Sequence, residues 1–239
     1  MAGEVPPRHP PGAARPLLTD THSLESTMSV DTITSRLLAE HGRTYAEEAG
    51  ITLRDKPSPL YRLLVMTVLC SIRISAETAI GAARELSAAG YRTPRAMADS
   101  RWQDRVDALG RAHYVRYDES TATALGEGAQ LVLDRWHGDL RRLGDEADGD
   151  PDALRELLQE VPRIGPVGAD IFCREVQTVW PWLRPFFDER ACAAAADLGL
   201  PHTPGGLGGL VPPDEHARLA AALVRVSLSK GATAELRAA

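Results

Sequence analysis

Apolar residues recur at three- and four-residue spacing along most of the chain, the period of helices packed on one face. From Asp31 to Glu48 they fall at Ile33, Leu37, Leu38 and Tyr45, which predicts a first helix. Leu60 to Cys70 is almost wholly apolar, a length that suits a buried strand or helix. Pro59 near its first turn favours helix. Ser75 is placed to cap a helix running to Gly90, Thr93-Pro94 opens a short one, and Gln103–Leu109 gives another. Tyr117–Trp136 carries a long helical pattern. A charged linker follows over Asp139–Asp150, and Asp150-Pro151 opens a helix ending at Val161. Pro162–Val167 reads as a tight connection, Gly168–Val179 as helix, Trp180–Phe187 as an extended loop and Asp188–Leu198 as helix. Residues 201–213, rich in Pro and Gly, read as a loop before a last helix over Glu215–Ser229. No segment alternates with strand period, and no repeat at solenoid spacing stands out, so the fold class is all-α.

Composition narrows the class. The 239 residues are 44% hydrophobic and 25% charged, enough for a sizeable core. Residues 1–28 are rich in Pro, Gly and small polar residues and read as a disordered tail, leaving 29–239 as the folded domain. The net charge of −6 and pI near 5.7 fit poorly with a surface that grips nucleic acid everywhere, though a local basic patch works within an acidic whole. Cys70, Cys173 and Cys192 lie far apart. Their odd number and wide spacing favour free thiols in a reducing compartment, and argue against structural zinc or a four-cysteine iron–sulfur cluster. No run approaches the ~20 apolar residues of a membrane span, and the start of the chain has no apolar signal region, so a cytoplasmic location and no membrane partner are expected.

Candidate chemistry is densest between Leu158 and Asp188. Leu158, Val161, Ile164, Phe172 and Cys173 are apolar around a turn holding Gly165, Gly168 and the small Ala169. A glycine at such a turn lets the backbone approach a phosphate, and the helix that follows points free N–H groups and its positive dipole end at it. Ala169 allows close helix packing, and Ile164 plugs the turn into the core. A plain αα-hairpin would share the pattern. Asp188, after Phe186-Phe187, stands at the start of the next helix. It is either an ordinary N-cap or a carboxylate kept ionised by a helix terminus.

Together these residues resemble the helix-hairpin-helix (HhH-GPD) DNA glycosylase superfamily, the endonuclease III-like proteins. The likeness runs over roughly residues 58–200. It implies two helical subdomains with a cleft between them, one over about 60–166 and the other from 30–57 plus 167–230. Asp188 matches the family's catalytic aspartate, which would stabilise a sugar cation or activate water. Arg163, Ile164, Gly165, Val167 and Gly168 match the hairpin that grips DNA, and Arg163 replaces its first glycine, where an unusual backbone angle is needed. Arg73 stands where a residue fills the gap left by an extruded base, and Tyr114 matches an aromatic turn; His113 and Arg116 are exposed candidates beside it. Trp180, Trp182 and Phe187, with Phe186 and Trp102, are candidates for a base pocket.

Departures from the family refine the expectation. Val167 occupies the position of the lysine that forms a Schiff base, so lyase activity by that route is not expected. Val68 stands where the adenine-removing branch has a carboxylate. The cluster-ligating cysteines are absent, so no iron–sulfur cofactor is expected, and the resemblance admits no metal beyond a monovalent cation at the hairpin carbonyls. The implied protein is a monomeric, monofunctional base-excision-repair glycosylase acting on lesion-bearing double-stranded DNA, in the cytoplasm or nucleoid. Two alternatives stay open: an inactive protein that binds distorted or abasic DNA, and a helical protein-interaction module.

Overall fold

The computed structural model describes residues 21–229 and 231–237, with side chains over 30–229 and 231–236. Residues 1–20 of the expected tail lie outside the described residues. All regular structure among the described residues is helical.

Helix α1 spans Thr21–His41 and α2 Tyr45–Glu48. The single helix expected over Asp31–Glu48 is therefore broken, and local chemistry explains it. Gly42 packs so closely on the Leu38 backbone that a Cβ would collide with it. Thr44 then starts a new helix with a reciprocal cap: its hydroxyl accepts from Glu47 N, and Glu47 accepts from Thr44 N. Helices α3 (Pro57–Cys70), α4 (Ala76–Ala88) and α5 (Pro94–Ala98) follow, α4 and α5 capped by Ser75 and Thr93 as expected. Helices α6 (Trp102–Arg111) and α7 (Asp118–Trp136) complete the first run.

The charged linker expected over Asp139–Asp150 contains a helix, α8 (Arg141–Glu146). Leu140 and Leu143 are fully buried there, and Gly144 lies under Trp180, where a Cβ would stand 3.1 Å from the indole. Helices α9 (Pro151–Leu158) and α10 (Pro166–Val176) form the hairpin. A 3₁₀ turn at Pro181–Leu183 interrupts the expected extended loop before α11 (Glu189–Asp197). Helices α12 (Pro204–Gly208), α13 (His216–Leu228) and α14 (Ala232–Arg237) close the chain.

The helices enclose two cores. The larger draws on residues from Tyr45 to Leu183, around Trp136, Tyr61 and Phe172. The smaller gathers Leu37 of α1 with the inner faces of α11 and α13 and Leu236 of α14. The boundary lies differently from the expected division at 60–166, because Tyr45–Ile51 and Ala169–Leu183 pack in the larger core. Helix α10 packs on α3 and α9 and also touches α13, so it forms the seam between the two bodies. Among the described residues no helix is long and apolar enough to cross a membrane.

Candidate functional site

The hairpin turn joins α9 to α10 through Gln159–Gly165. Its strained residue is Arg163, with φ of 73°, a left-handed conformation that favours glycine. The sharp turn expected at Gly165 thus lies two residues earlier. Gly165 itself has φ of −102° and ψ of −169°, extended backbone open to any residue. A Cβ there would meet nothing within 4 Å, so the space before α10 is open. Pro166 carries no N–H, and the amides of Val167 and Gly168 make no backbone hydrogen bond. Val167 is exposed, so its amide is a free donor at the positive end of an eleven-residue helix, whereas Gly168 is buried. Ile164 and Ala169 are buried and hold the turn against the core. Gly168 is buried because α10 passes so close to the α3–α4 turn that a Cβ would clash with Ser71 Oγ.

Behind the turn, Val167, Asp170, Ile171 and Arg174 follow the i, i+3, i+4, i+7 face of α10. They line a cavity of about 580 Å³ at the seam between the cores. Tyr45, Cys70 and Ile74 form its wall from the larger body, and Val224 and Leu228 of α13 face them. The start of α11 brings in Asp188, Glu189 and Arg190. A second cavity, of about 430 Å³, lies by Thr44, Thr178 and Arg218. There Arg218 is committed to Glu215 and to the Gly42 and Leu38 carbonyls.

Asp188 caps α11 and is 8% exposed. Its Oδ1 accepts from Ala191 N at 2.8 Å, and its Oδ2 accepts from Nη1 of Arg174. Arg174 is 4% exposed and its Nε has no partner. The loop before Asp188 is fixed by the buried Gln177, which donates to the Phe186 and Arg174 carbonyls and accepts from Phe186 N at 3.0 Å. Next to Arg174, the buried Glu175 accepts from Tyr45 N at 3.1 Å and Ala46 N at 2.9 Å, anchoring α2 beside the cleft. Burial raises the Glu175 pKa, and the two amides oppose that rise.

Asp170 stands one helical turn before Arg174. Its Oδ1 accepts from Nε of Arg155 on α9 at 2.8 Å. Burial raises its pKa, the Arg155 cation lowers it, and the negative charge of Asp188 raises it again. Burial also pushes the Cys70 thiol up to about 12, which makes it a poor nucleophile at neutral pH.

The structure brings Asp188 and Val167 together in the cleft, with Val167 60% exposed. Arg73 is exposed on the turn between Cys70 and Ile74, at the cleft rim, and Arg163 is exposed on the hairpin. Tyr114 is fully buried and its hydroxyl donates to the Leu69 carbonyl, so it packs the core and is out of reach of a phosphate. The aromatic candidates do not line the cleft. Trp180 is buried against Phe172, donates to Asp55 and carries Trp182 stacked on its outer face. Phe187 points into the smaller core beside His216. Asp170 and Arg174 enter the cleft without belonging to any motif in the sequence. Their signal was the shared helical face with Val167.

No family model and no curated protein matches the chain. Two solved structures are similar to it in fold. One is a non-covalent endonuclease III–DNA complex, 15% identical, with a TM-score of 0.53 over 88% of this chain and 86% of that one. The other is a trapped endonuclease III–DNA covalent intermediate in an estranged-adenine complex, 13% identical, with a TM-score of 0.53 over 84% of each chain. The chain has the two-body, all-helical fold of endonuclease III.

Proposed function

We propose that the protein is a DNA N-glycosylase that hydrolyses a base–sugar bond without cutting the strand. The observation that carries this reading is the placement of Asp188. It is a helix-capping carboxylate in a cleft directly behind a hairpin whose exposed Val167 amide is free. The likeness in fold to proteins solved on DNA supports it.

DNA would dock on the open N-terminus of α10, where a phosphate can reach the exposed amide of Val167 over the bare Gly165. Arg163 and Arg73, both exposed, add positive charge on that approach. Breaking the base–sugar bond builds positive charge on the sugar, and Asp188 offers the negative group to stabilise it or to orient water. Val167 presents only hydrocarbon at the cleft, and no lysine is among the cleft-lining residues, so a Schiff base is not expected.

A glycosylase assay over deaminated, oxidised, alkylated and mismatched duplexes tests this. Products should appear only after alkaline cleavage of abasic sites, and Asp188→Asn should abolish them. Strand scission without alkali, or unchanged release by the variant, refutes the assignment.

A second reading rests on the Arg174–Asp188 pair. Both oxygens of Asp188 are occupied, and a cation sits beside the place where sugar charge would develop. This arrangement suits a protein that binds abasic or distorted DNA without chemistry. Tight binding to an abasic analogue with no base release across the panel would favour it.

A further inference from the structure

Besides Asp188 the cleft holds the exposed Glu189 and the more enclosed Asp170, and the single-aspartate reading leaves Asp170 without a role. Asp170 shares one face of α10 with Val167 and Arg174 and lines the same cavity as Asp188. Its two oxygens are unequal. Oδ1 is held by Arg155, whereas Oδ2 has no hydrogen-bond partner. Asp188 is the reverse case, with both oxygens occupied and its negative charge matched by Arg174. Asp170 thus offers the cavity an oxygen free to exchange a proton, whereas both oxygens of Asp188 are held.

We propose that Asp170 donates a proton to the departing base, so that the cleft acts on uncharged bases and not only on those already made cationic by alkylation. This rests on the glycosylase reading above. In the step, the C1′–N bond breaks and its electron pair goes to the base. The Asp170 proton passes to a ring nitrogen or carbonyl oxygen of that base. Water adds to C1′ and its proton returns to the Asp170 carboxylate directly or through solvent. The products are a neutral free base and an abasic sugar, and Asp170 is restored.

The surroundings shift the Asp170 equilibrium in the direction of the protonated form. Burial and the Asp188 charge raise the Asp170 pKa, and Arg155 opposes them. Arg174, one turn further along α10, also favours the anion. Glu189 and Arg190 enter from α11, and Tyr45 and Cys70 face the cavity from α2 and α3. Burial raises the pKa of both Tyr45 and Cys70, which keeps them uncharged at neutral pH. Helix α13 contributes only Val224 and Leu228 to this wall.

Single-turnover base release by the full chain tests the proposal, on duplexes carrying uracil or hypoxanthine and on duplexes carrying 7-methylguanine. Asp170→Asn keeps an acceptor for Arg155, and it should lower release of the neutral bases about 100-fold or more. Release of 7-methylguanine, and affinity for an abasic analogue, should stay near wild type. Wild-type release of neutral bases should fall as pH rises through the Asp170 pKa, and Asp170→Glu should keep a falling limb. Neutral-base release by Asp170→Asn at the wild-type rate overturns the role of Asp170 alone. So does a wild type that releases only 7-methylguanine. No release by the wild type from any duplex overturns the glycosylase reading together with this one. A melting curve on each variant separates lost chemistry from lost folding.

Discussion

Arg174 and Asp188 form an ion pair across the seam between the two cores, with side chains only 5% and 4% exposed. Each offsets part of the other's burial cost, and the Arg174 guanidinium makes no other hydrogen bond. Arg174→Met should therefore leave a buried carboxylate without its cation and destabilise the protein by about 3–5 kcal/mol. The double variant with Asp188→Asn should recover part of that loss. Urea denaturation of the two single variants and the double measures the coupling; simple additivity would show that the pair is not energetically linked.

Gly168 and Ser71 fix how closely the hairpin approaches α3. Ser71 Oγ is tied to the Thr67 carbonyl at 2.7 Å, so it cannot easily swing aside. Gly168→Ala should cost about 1–3 kcal/mol by overpacking. Adding Ser71→Ala removes the clashing oxygen and leaves contacts of 3.2 Å to Ile164 Cγ2 and 3.4 Å to the Cβ at position 71. The double variant should melt closer to wild type than Gly168→Ala does.

Arg163 holds a backbone angle that suits glycine, and its exposed side chain points away from the core. Arg163→Gly should raise stability by about 1 kcal/mol through relief of that strain. If the side chain meets a phosphate, the same change should weaken duplex binding and reduce the salt slope by about one. A salt titration beside a melting curve reads both effects, and a rise in both stability and affinity would remove Arg163 from the DNA interface.

The pH dependence of stability follows from Asp170. Its folded-state pKa lies above the ordinary value of 3.8. As pH climbs past 3.8 the unfolded chain releases this proton first, and folding loses stability until pH passes the folded-state pKa. Above that point the cost is constant. Asp170→Asn removes the linkage, so its stability relative to wild type should rise with pH through this window and then level off. A flat difference across acidic pH would contradict the raised pKa.

Much of this was legible beforehand, for reasons that differ by residue. The helices with side-chain caps, such as those begun by Ser75, Thr93 and Asp188, announce themselves through short-range chemistry. The unusual angle expected at Arg163 was equally local, since the motif demands a glycine-like conformation there. The fate of the aromatic residues was not. Trp180 and Phe187 are seven positions apart on one loop and lie near Asp188 in sequence, but they enter opposite cores. Which way each ring turns depends on Gly144 and His216, far from the loop in sequence. The Arg174–Asp188 pair was hidden for a similar reason, because it forms only once Gln177 has folded the intervening segment back on α10.

The Glu175 carboxylate joins two pieces of chain that are 130 residues apart. The hairpin needs only α9 and α10, and these are neighbours. The cleft needs α2 beside α10 and α13 opposite, so it exists only after distant segments have met. Non-local contacts of this kind form late and slowly. A chain still emerging from its synthesis would thus possess the hairpin before it possesses the cleft, whose far wall waits for α13.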